Sequence, residues 1–182
     1  MPQIATYAQL KTWGEKEGVR EAIATFSKSD ELQTKTVFLS HSTQDDELVA
    51  GVVVILKNHG GNVYVDHADP TLPDSDCLAI AENLRTAIKG CRRFVALASP
   101  RSKDSKWIPW ELGLGDGIHD PASVAVFPSA ESSTDTKWSE REYLGLYRRI
   151  VWGELQGEEK PLWLVWDFRK NTAEKLTSWL SG

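Results

Sequence analysis

Short apolar runs rich in β-branched and aromatic residues recur along the chain, each followed by a polar turn and a longer stretch with apolar positions at helical spacing. Five runs read as buried strands: Thr36-Val37-Phe38-Leu39, Asn62 to Asp66, Phe94 to Ala98, Val124 to Phe127 and Leu162 to Trp166. Pro100 and Pro128 stand just past two of them, where a residue without an N–H ends a ladder. Between the first two runs, Asp45, Asp46 and Glu47 open a helix whose dipole favours anions at that end. It carries Leu48, Val52, Val53, Ile55 and Leu56 and stops at His59-Gly60-Gly61. Asp76 caps a second helix from Cys77 to Lys89, which Gly90 closes. A third helix follows Ser99-Pro100. The pattern predicts a fourth over Trp138 to Trp152 and a last one capped by Thr172 and ending near Leu180. Polar residues 129–136 and charged residues 154–160 read as loops.

Strands alternating with helices, with no internal repeat, predict an α/β domain: a parallel sheet with helices on both faces. Five strands in a flavodoxin-like order, 2-1-3-4-5, is the expected topology. Residues 1–34 stand apart as an N-terminal helical extension, with Thr6 as its cap and Leu10, Trp13, Val19, Ile23 and Phe26 at roughly helical spacing. Gly14 and Gly18 weaken that helix by about 1 kcal/mol each, so it is expected to pack on the domain or on a partner. The domain itself spans residues 35–182.

In an open α/β sheet, ligands bind outside the carboxyl ends of the strands where the order reverses. Here that point lies between the first and third strands, with Ser40-His41-Ser42 on one side and Ser99 to Glu111 on the other. Glu111 then has two readings, a carboxylate facing the crevice or an anion complementing its own helix dipole. If Ser105 caps the helix, Trp107 and Glu111 are four residues apart and share a face. If the helix begins only at Pro109, Trp107 lies in the loop before it.

Composition narrows the function classes. A formal net charge of −5 argues against a phosphate-neutralising surface, so no nucleic-acid partner is expected. No apolar run approaches the roughly 18 residues of a membrane span, and residues 1–20 lack an export-type apolar stretch, so a cytoplasmic location is expected. Cys77 and Cys91 fit no metal spacing and read as two buried thiols in a reducing compartment, with a disulfide between them as the alternative. The loop from His67 to Ser75 holds Asp69 and Asp74 beyond strand-terminal Asp66, but lacks the regular ligand spacing of a hard-cation loop, so no metal is expected. Pro70, Leu72 and Pro73 give the same loop an apolar centre inside an acidic rim, a composition that suits contact with a second molecule and equally a loop folded back on its own domain. The eight Trp are numerous enough that a few are free to line a flat aromatic ligand's site.

Val37-Phe38-Leu39-Ser40-His41-Ser42 followed by acids resembles the first strand and loop of Toll/interleukin-1 receptor (TIR) domains in their bacterial form. Val63-Tyr64-Val65-Asp66 is similar to the family's second strand. His67 to Ser75 resembles its variable loop, and Ser99-Pro100, Ser102, Ser105, Trp107 and Glu111 its serine-rich turn and Trp-x-x-x-Glu helix. The resemblance covers roughly residues 36–180. Two departures stand out: Ser42 and Thr43 occupy positions where some relatives carry basic residues, and Asp74 stands where many have glycine.

The resemblance implies one of two functions: an enzyme that cleaves NAD⁺, or a non-enzymatic adaptor acting by self-association. A third reading is a nucleoside-modifying enzyme on a related fold with a nucleophilic Glu. In the NAD-cleaving members the helix Glu is catalytic, which places that role on Glu111. Trp107, Ser40, His41, Ser42, Asp66 and Ser105 become expected substrate contacts, although Ser40 to Ser42 read equally as a capped turn. NAD⁺ is then substrate, with no cofactor. The resemblance further implies a homo-oligomer assembled through Pro70, Leu72 and Pro73, a prokaryotic immune or stress role such as antiphage defence, and an effector protein that senses a cyclic nucleotide product.

Overall fold

The computed structural model describes residues 2–16, 36–65 and 77–182. Its strands are β1 (Ala5–Thr6), β2 (Val37–Ser40), β3 (Val63–Val65), β4 (Arg93–Ala98), β5 (Val124–Ala130), β6 (Arg148–Gly153), β7 (Leu162–Asp167) and β8 (Thr172–Lys175). Its α-helices are α1 (Tyr7–Lys16), α2 (Asp46–Asn58), α3 (Cys77–Gly90), α4 (Trp107–Ile118) and α5 (Leu176–Ser181). The sheet runs β3-β2-β4-β5-β6-β7-β8, with β1 added to β5. From β3 to β6 every neighbour is parallel, and these five strands reproduce the flavodoxin-like order. Because β2, β4 and β5 are buried on both faces, they read as the continuous apolar runs seen in the sequence.

Helices cover both faces, as expected. One core cluster joins α1, α2 and α5 to Val37, Leu39, Val95, Leu97, Ala125 and Phe127. The other joins α3 and α4 to Phe38, Phe94, Ala96, Val124 and Val126. Two glycines set how closely the layers approach. A Cβ at Gly51 of α2 would lie 2.1 Å from the Leu10 carbonyl oxygen of α1. A Cβ at Gly115 of α4 would lie 2.7 Å from the Phe94 ring. Both positions therefore require the absence of a side chain.

The second half of the sheet departs from expectation. Residues 138–152 do not form a helix. They make 3-10 turns at Lys137–Ser139 and Glu142–Leu146 and then enter β6. Tertiary pairing wins over local pattern here, because Ile150 and Val151 pair with Val165 and Leu164 in an antiparallel hairpin. The mixed spacing of Trp and charge has a packing cause: the Arg149 guanidinium lies 3.8 Å from the Phe168 ring centroid and 5.0 Å from that of Trp138. The run expected as the fifth and last strand, Leu162 to Trp166, is therefore β7, antiparallel to its neighbours. Thr172 opens edge strand β8 rather than capping a helix, and α5 starts four residues later at Leu176. Pro128 does not end its strand. It removes one donor, and β5 continues because β1 pairs with Ser129 and Ala130. Those two residues accordingly belong to the buried sheet, not to the loop expected from residue 129.

At the amino terminus, Thr6 caps α1 as the sequence suggested. The Gln9 amide donates to Thr6 Oγ1 (3.3 Å), and the Thr6 amide donates back to Gln9 Oε1 (2.9 Å). The helix packs along α2, with Leu10 fully buried and Trp13 against the same core. Val19, Ile23 and Phe26 lie outside the described residues.

Candidate functional site

Buried polar residues gather at one end of the sheet. Among the described residues, all of them except Asp167 sit beyond or at the C-terminal ends of β2, β4 and β5, or on α4 facing those ends. Ser40 closes β2 and is fully buried; its Cα pairs in register with Ala96 of β4. Glu111, one turn into α4, is 2% exposed, and Ser40 Oγ donates to its Oε2 at 2.5 Å. Strand β2 and helix α4 thus meet through a hydroxyl on a carboxylate at the point where the strand order reverses. A buried carboxylate is tolerated only where donors compensate the lost water, and Ser40 is one such donor.

Trp107 is the first residue of α4, so the helix begins before Pro109. Ser105 Oγ accepts from the Ile108 amide (3.3 Å) and so caps this helix start. Trp107 stays 43% exposed, one turn before Glu111, its ring edge-on to Trp110 at 5.6 Å between centroids. Arg85 of α3 stands over Trp110 at 5.7 Å. His41 is buried, with Nε2 3.1 Å from Asp46 Oδ1 at the start of α2. Ser42 Oγ accepts from the Gln44 amide (3.3 Å) and caps the 3-10 turn Thr43–Asp45. The structure therefore brings Ser40 and Glu111 into contact, while Ser42 and Ser105 bond to local backbone. Asp66, Pro70, Leu72 and Pro73 lie outside the described residues.

A second polar group lies beside the first, and sequence reading missed its role. Asp45, fully buried, accepts the Ser99 hydroxyl at 2.9 Å (Oδ1) and 2.8 Å (Oδ2). Burial pushes its carboxyl above the ordinary value, against the opposing pull of the Ser99 hydrogen bond and of Arg101, His41 and Arg141. Ser99 Oγ in turn accepts from the amides of Arg101 (3.0 Å) and Ser102 (3.1 Å). Arg141 donates to the Ser102 carbonyl (2.8 Å), the Ser99 carbonyl (3.3 Å) and Ser102 Oγ (3.2 Å). The turn between β4 and α4 is thereby pinned from two sides. The sequence signal was an acid directly after the first turn, which dipole complementarity explained too easily.

Among the described residues no group of three or more His, Cys, Asp or Glu could hold a metal ion, and no helix is long and apolar enough to cross a membrane. Cys91 is buried, 3% exposed, and packs in the core cluster of α3 and α4.

The described residues form a doubly wound α/β domain with Glu111 buried where the strand order reverses, the place at which such sheets bind ligands. The TIR domain family model matches residues 37–162, and the chain belongs to that family. It is also similar to a Bacillus cereus (strain MSX-D12) protein named "Probable 3' cyclic ADP-D-ribose synthase ThsB'", 31% identical over 142 residues, covering 76% of this chain and 72% of the relative.

Proposed function

We propose that this TIR domain cleaves NAD⁺ between nicotinamide and ribose, with Glu111 as the catalytic residue. The observation that carries the proposal is the placement of Glu111: a buried carboxylate at the switch point that takes the Ser40 hydroxyl, on a helix whose first residue is a half-exposed Trp. The similarity to a cyclic ADP-ribose synthase supports the same chemistry.

The residue types suit the reaction. The C1′–N bond breaks heterolytically and its electron pair leaves with the nicotinamide, which departs neutral. Little general-acid assistance is needed, unlike glycoside hydrolysis with its paired carboxylates. The positive charge that builds on the ribosyl carbon is met by the Glu111 carboxylate in a low-dielectric setting, where an oriented charge counts most. A ribose hydroxyl can replace the Ser40 hydroxyl on Oε2. The Trp107 face is available to a cationic or flat aromatic ring. Capture of the cation by water, with loss of a proton, gives ADP-ribose. Capture by a nucleophile of the same molecule gives a cyclic isomer, the outcome that the relative's name favours. A cyclic product would act through a protein that senses it, and assembly through residues 70–73 would make the reaction depend on concentration.

The test is purified full-length protein incubated with NAD⁺ over a hundredfold range of protein concentration, with nicotinamide and nucleotide products separated and quantified. Release is expected, with specific activity rising with concentration. Glu111→Gln, which keeps shape and loses charge, is expected to lower the rate by about 10²–10³ or more. No release at any concentration would transfer the weight to a self-associating adaptor. A Gln variant as active as wild type would remove Glu111 from the mechanism.

A further inference from the structure

Tyr7 stands thirty residues before the start of the family match, yet it is 4% exposed and touches the turn that launches the Glu111 helix. The Arg101 guanidinium lies over its ring at 4.3 Å from the centroid, close enough for a cation–π contact shielded from water on the ring side. Arg101 is the first residue of the 3-10 turn Arg101–Asp104 between β4 and α4. Its own amide is one of the two that Ser99 Oγ accepts, and Ser99 is the residue tied to Asp45. The same guanidinium pairs with Glu47 of α2 at 2.5 Å and stands 3.6 Å from Glu131. Glu47 also takes Lys11 of α1 at 2.8 Å.

Tyr7 is itself fixed by the chain around it. Strand β1 ends one residue earlier and pairs Ala5 with Ser129 and Thr6 with Ala130. Ser129 Oγ donates to the Ala5 carbonyl at 3.0 Å. The Thr6–Gln9 capping pair sets the start of α1, and the tight Leu10–Gly51 approach sets its depth. Residues 5–10 therefore form a rigid bracket between the end of β5 and α2, and the tip of that bracket is the Tyr7 ring.

We propose that Tyr7 and Arg101 are positioning residues for Glu111. The amino-terminal segment acts as a strut that holds the β4–α4 turn, and through it the carboxylate, in the geometry seen against Ser40. The physical reason is leverage. From Ser99 to Trp107 the backbone contains only a short 3-10 turn, whose hold on α4 comes from side chains: Ser99 with Asp45, Arg141 with two carbonyls, and Arg101 held between the Tyr7 ring and Glu47. Removing the ring takes away one of the contacts that fix Arg101, leaving its pair with Glu47, and leaves Ser40, Trp107 and Glu111 themselves unchanged.

The kinetic arm of the test rests on the NAD⁺-cleavage reading, and the exchange arm does not. Tyr7→Ala is expected to lower kcat about 10- to 100-fold with KM within about twofold, since small misplacement of a catalytic group costs turnover more than binding. Tyr7→Phe, which keeps the ring under the guanidinium, is expected to restore wild-type kcat. In the same proteins without ligand, hydrogen exchange is read for the amides of residues 99–106 and, as control, for the buried strand Val124–Ala130. Tyr7→Ala and Arg101→Gln should each speed exchange of the turn about tenfold or more and leave the strand unchanged. Arg101→Gln changes a part-exposed side chain and carries the test if Tyr7→Ala does not fold. Unchanged exchange of the turn in both variants overturns the strut, whatever the activity. Unchanged kcat per folded molecule also overturns it, and so does a Phe variant as impaired as Ala. A wild-type protein that leaves NAD⁺ intact refutes the functional reading instead, and exchange alone then decides the strut.

Discussion

Replacing Ser40 by Ala removes one oxygen, and the structure says what that oxygen does. It is fully buried, and it donates at 2.5 Å to a carboxylate that is 2% exposed. Water has little access to Oε2 once the hydroxyl is gone, so the variant leaves a buried anion short of a donor. Hydrogen bonds to charged groups contribute about 1.5–3 kcal/mol net, against about 1 kcal/mol for neutral pairs. Ser40→Ala should therefore lower stability by about 1.5–3 kcal/mol, which for a chain of this size lowers Tm by about 3–12 °C. In a Glu111→Gln background the partner is neutral, and the same substitution should cost only about 1 kcal/mol. The difference is the coupling energy of the cycle, and it should be positive and of order 1 kcal/mol. Urea denaturation of the wild type, both single variants and the double variant at neutral pH measures it. Equal losses from Ser40→Ala in both backgrounds would show that the hydroxyl does not serve the carboxylate, and the site geometry described above would be wrong.

Two other substitutions separate structural from functional roles. Trp107→Ala should cost less than about 2 kcal/mol, well under the 3–5 kcal/mol of a core Trp, because the ring is 43% exposed. It should raise KM for NAD⁺ severalfold, and a large stability loss with unaltered kinetics would assign the indole to the core. Asp45→Asn keeps an acceptor for the Ser99 hydroxyl and removes the charge. Burial raises the Asp45 carboxyl, so the folded state holds its proton more tightly than the unfolded chain does. The wild type then loses stability from this group as pH rises from about 4, the ordinary Asp value, through the raised folded value, and Asn does not. The urea midpoint of Asp45→Asn should gain on wild type across that window and run parallel above it; a difference that is constant with pH would refute the assignment.

The half of the sheet that carries the site was legible because its strands are buried on both faces. Such strands must be apolar at every position, so Phe94 to Ala98 and Val124 to Phe127 announce themselves without periodicity. The other half follows different physics. Strand β6 opens with Arg148 and Arg149, one paired with Glu174 at 2.9 Å and the other laid on aromatic rings, and neither resembles a strand residue until its partner is known. Strand β8 is a polar edge strand of four residues, Thr172 to Lys175, and charge at an edge is what protects it from pairing with other chains. A sequence window sees charged residues with scattered Trp and reads a helix. The pairing partners that decide otherwise, Ile150 with Val165 and Val151 with Leu164, lie outside the window.

The meeting of Ser40 and Glu111 was legible in its position and residue types, and the bonds that support it were not. Topology alone brings the end of β2 to the start of α4, so Ser40 and Glu111 could be placed on one crevice from strand order before any distance was known. The bonds that hold the crevice in shape span 54 residues from Asp45 to Ser99 and 42 from Ser99 to Arg141. No spacing rule connects such pairs. A physical rule does narrow the choice. Where a chain passes from a fully buried strand into a turn, a small polar residue at the strand end is still out of reach of water and must find a partner inside. Ser40 and Ser99 are both in that position, and each meets a carboxylate, Glu111 and Asp45. The two carboxylates differ in what surrounds them. Asp45 lies among hydrogen bonds that fix backbone, and its substitution should be felt in stability and its pH dependence. Glu111 lies beside an exposed indole at the switch point, and its substitution should be felt in turnover.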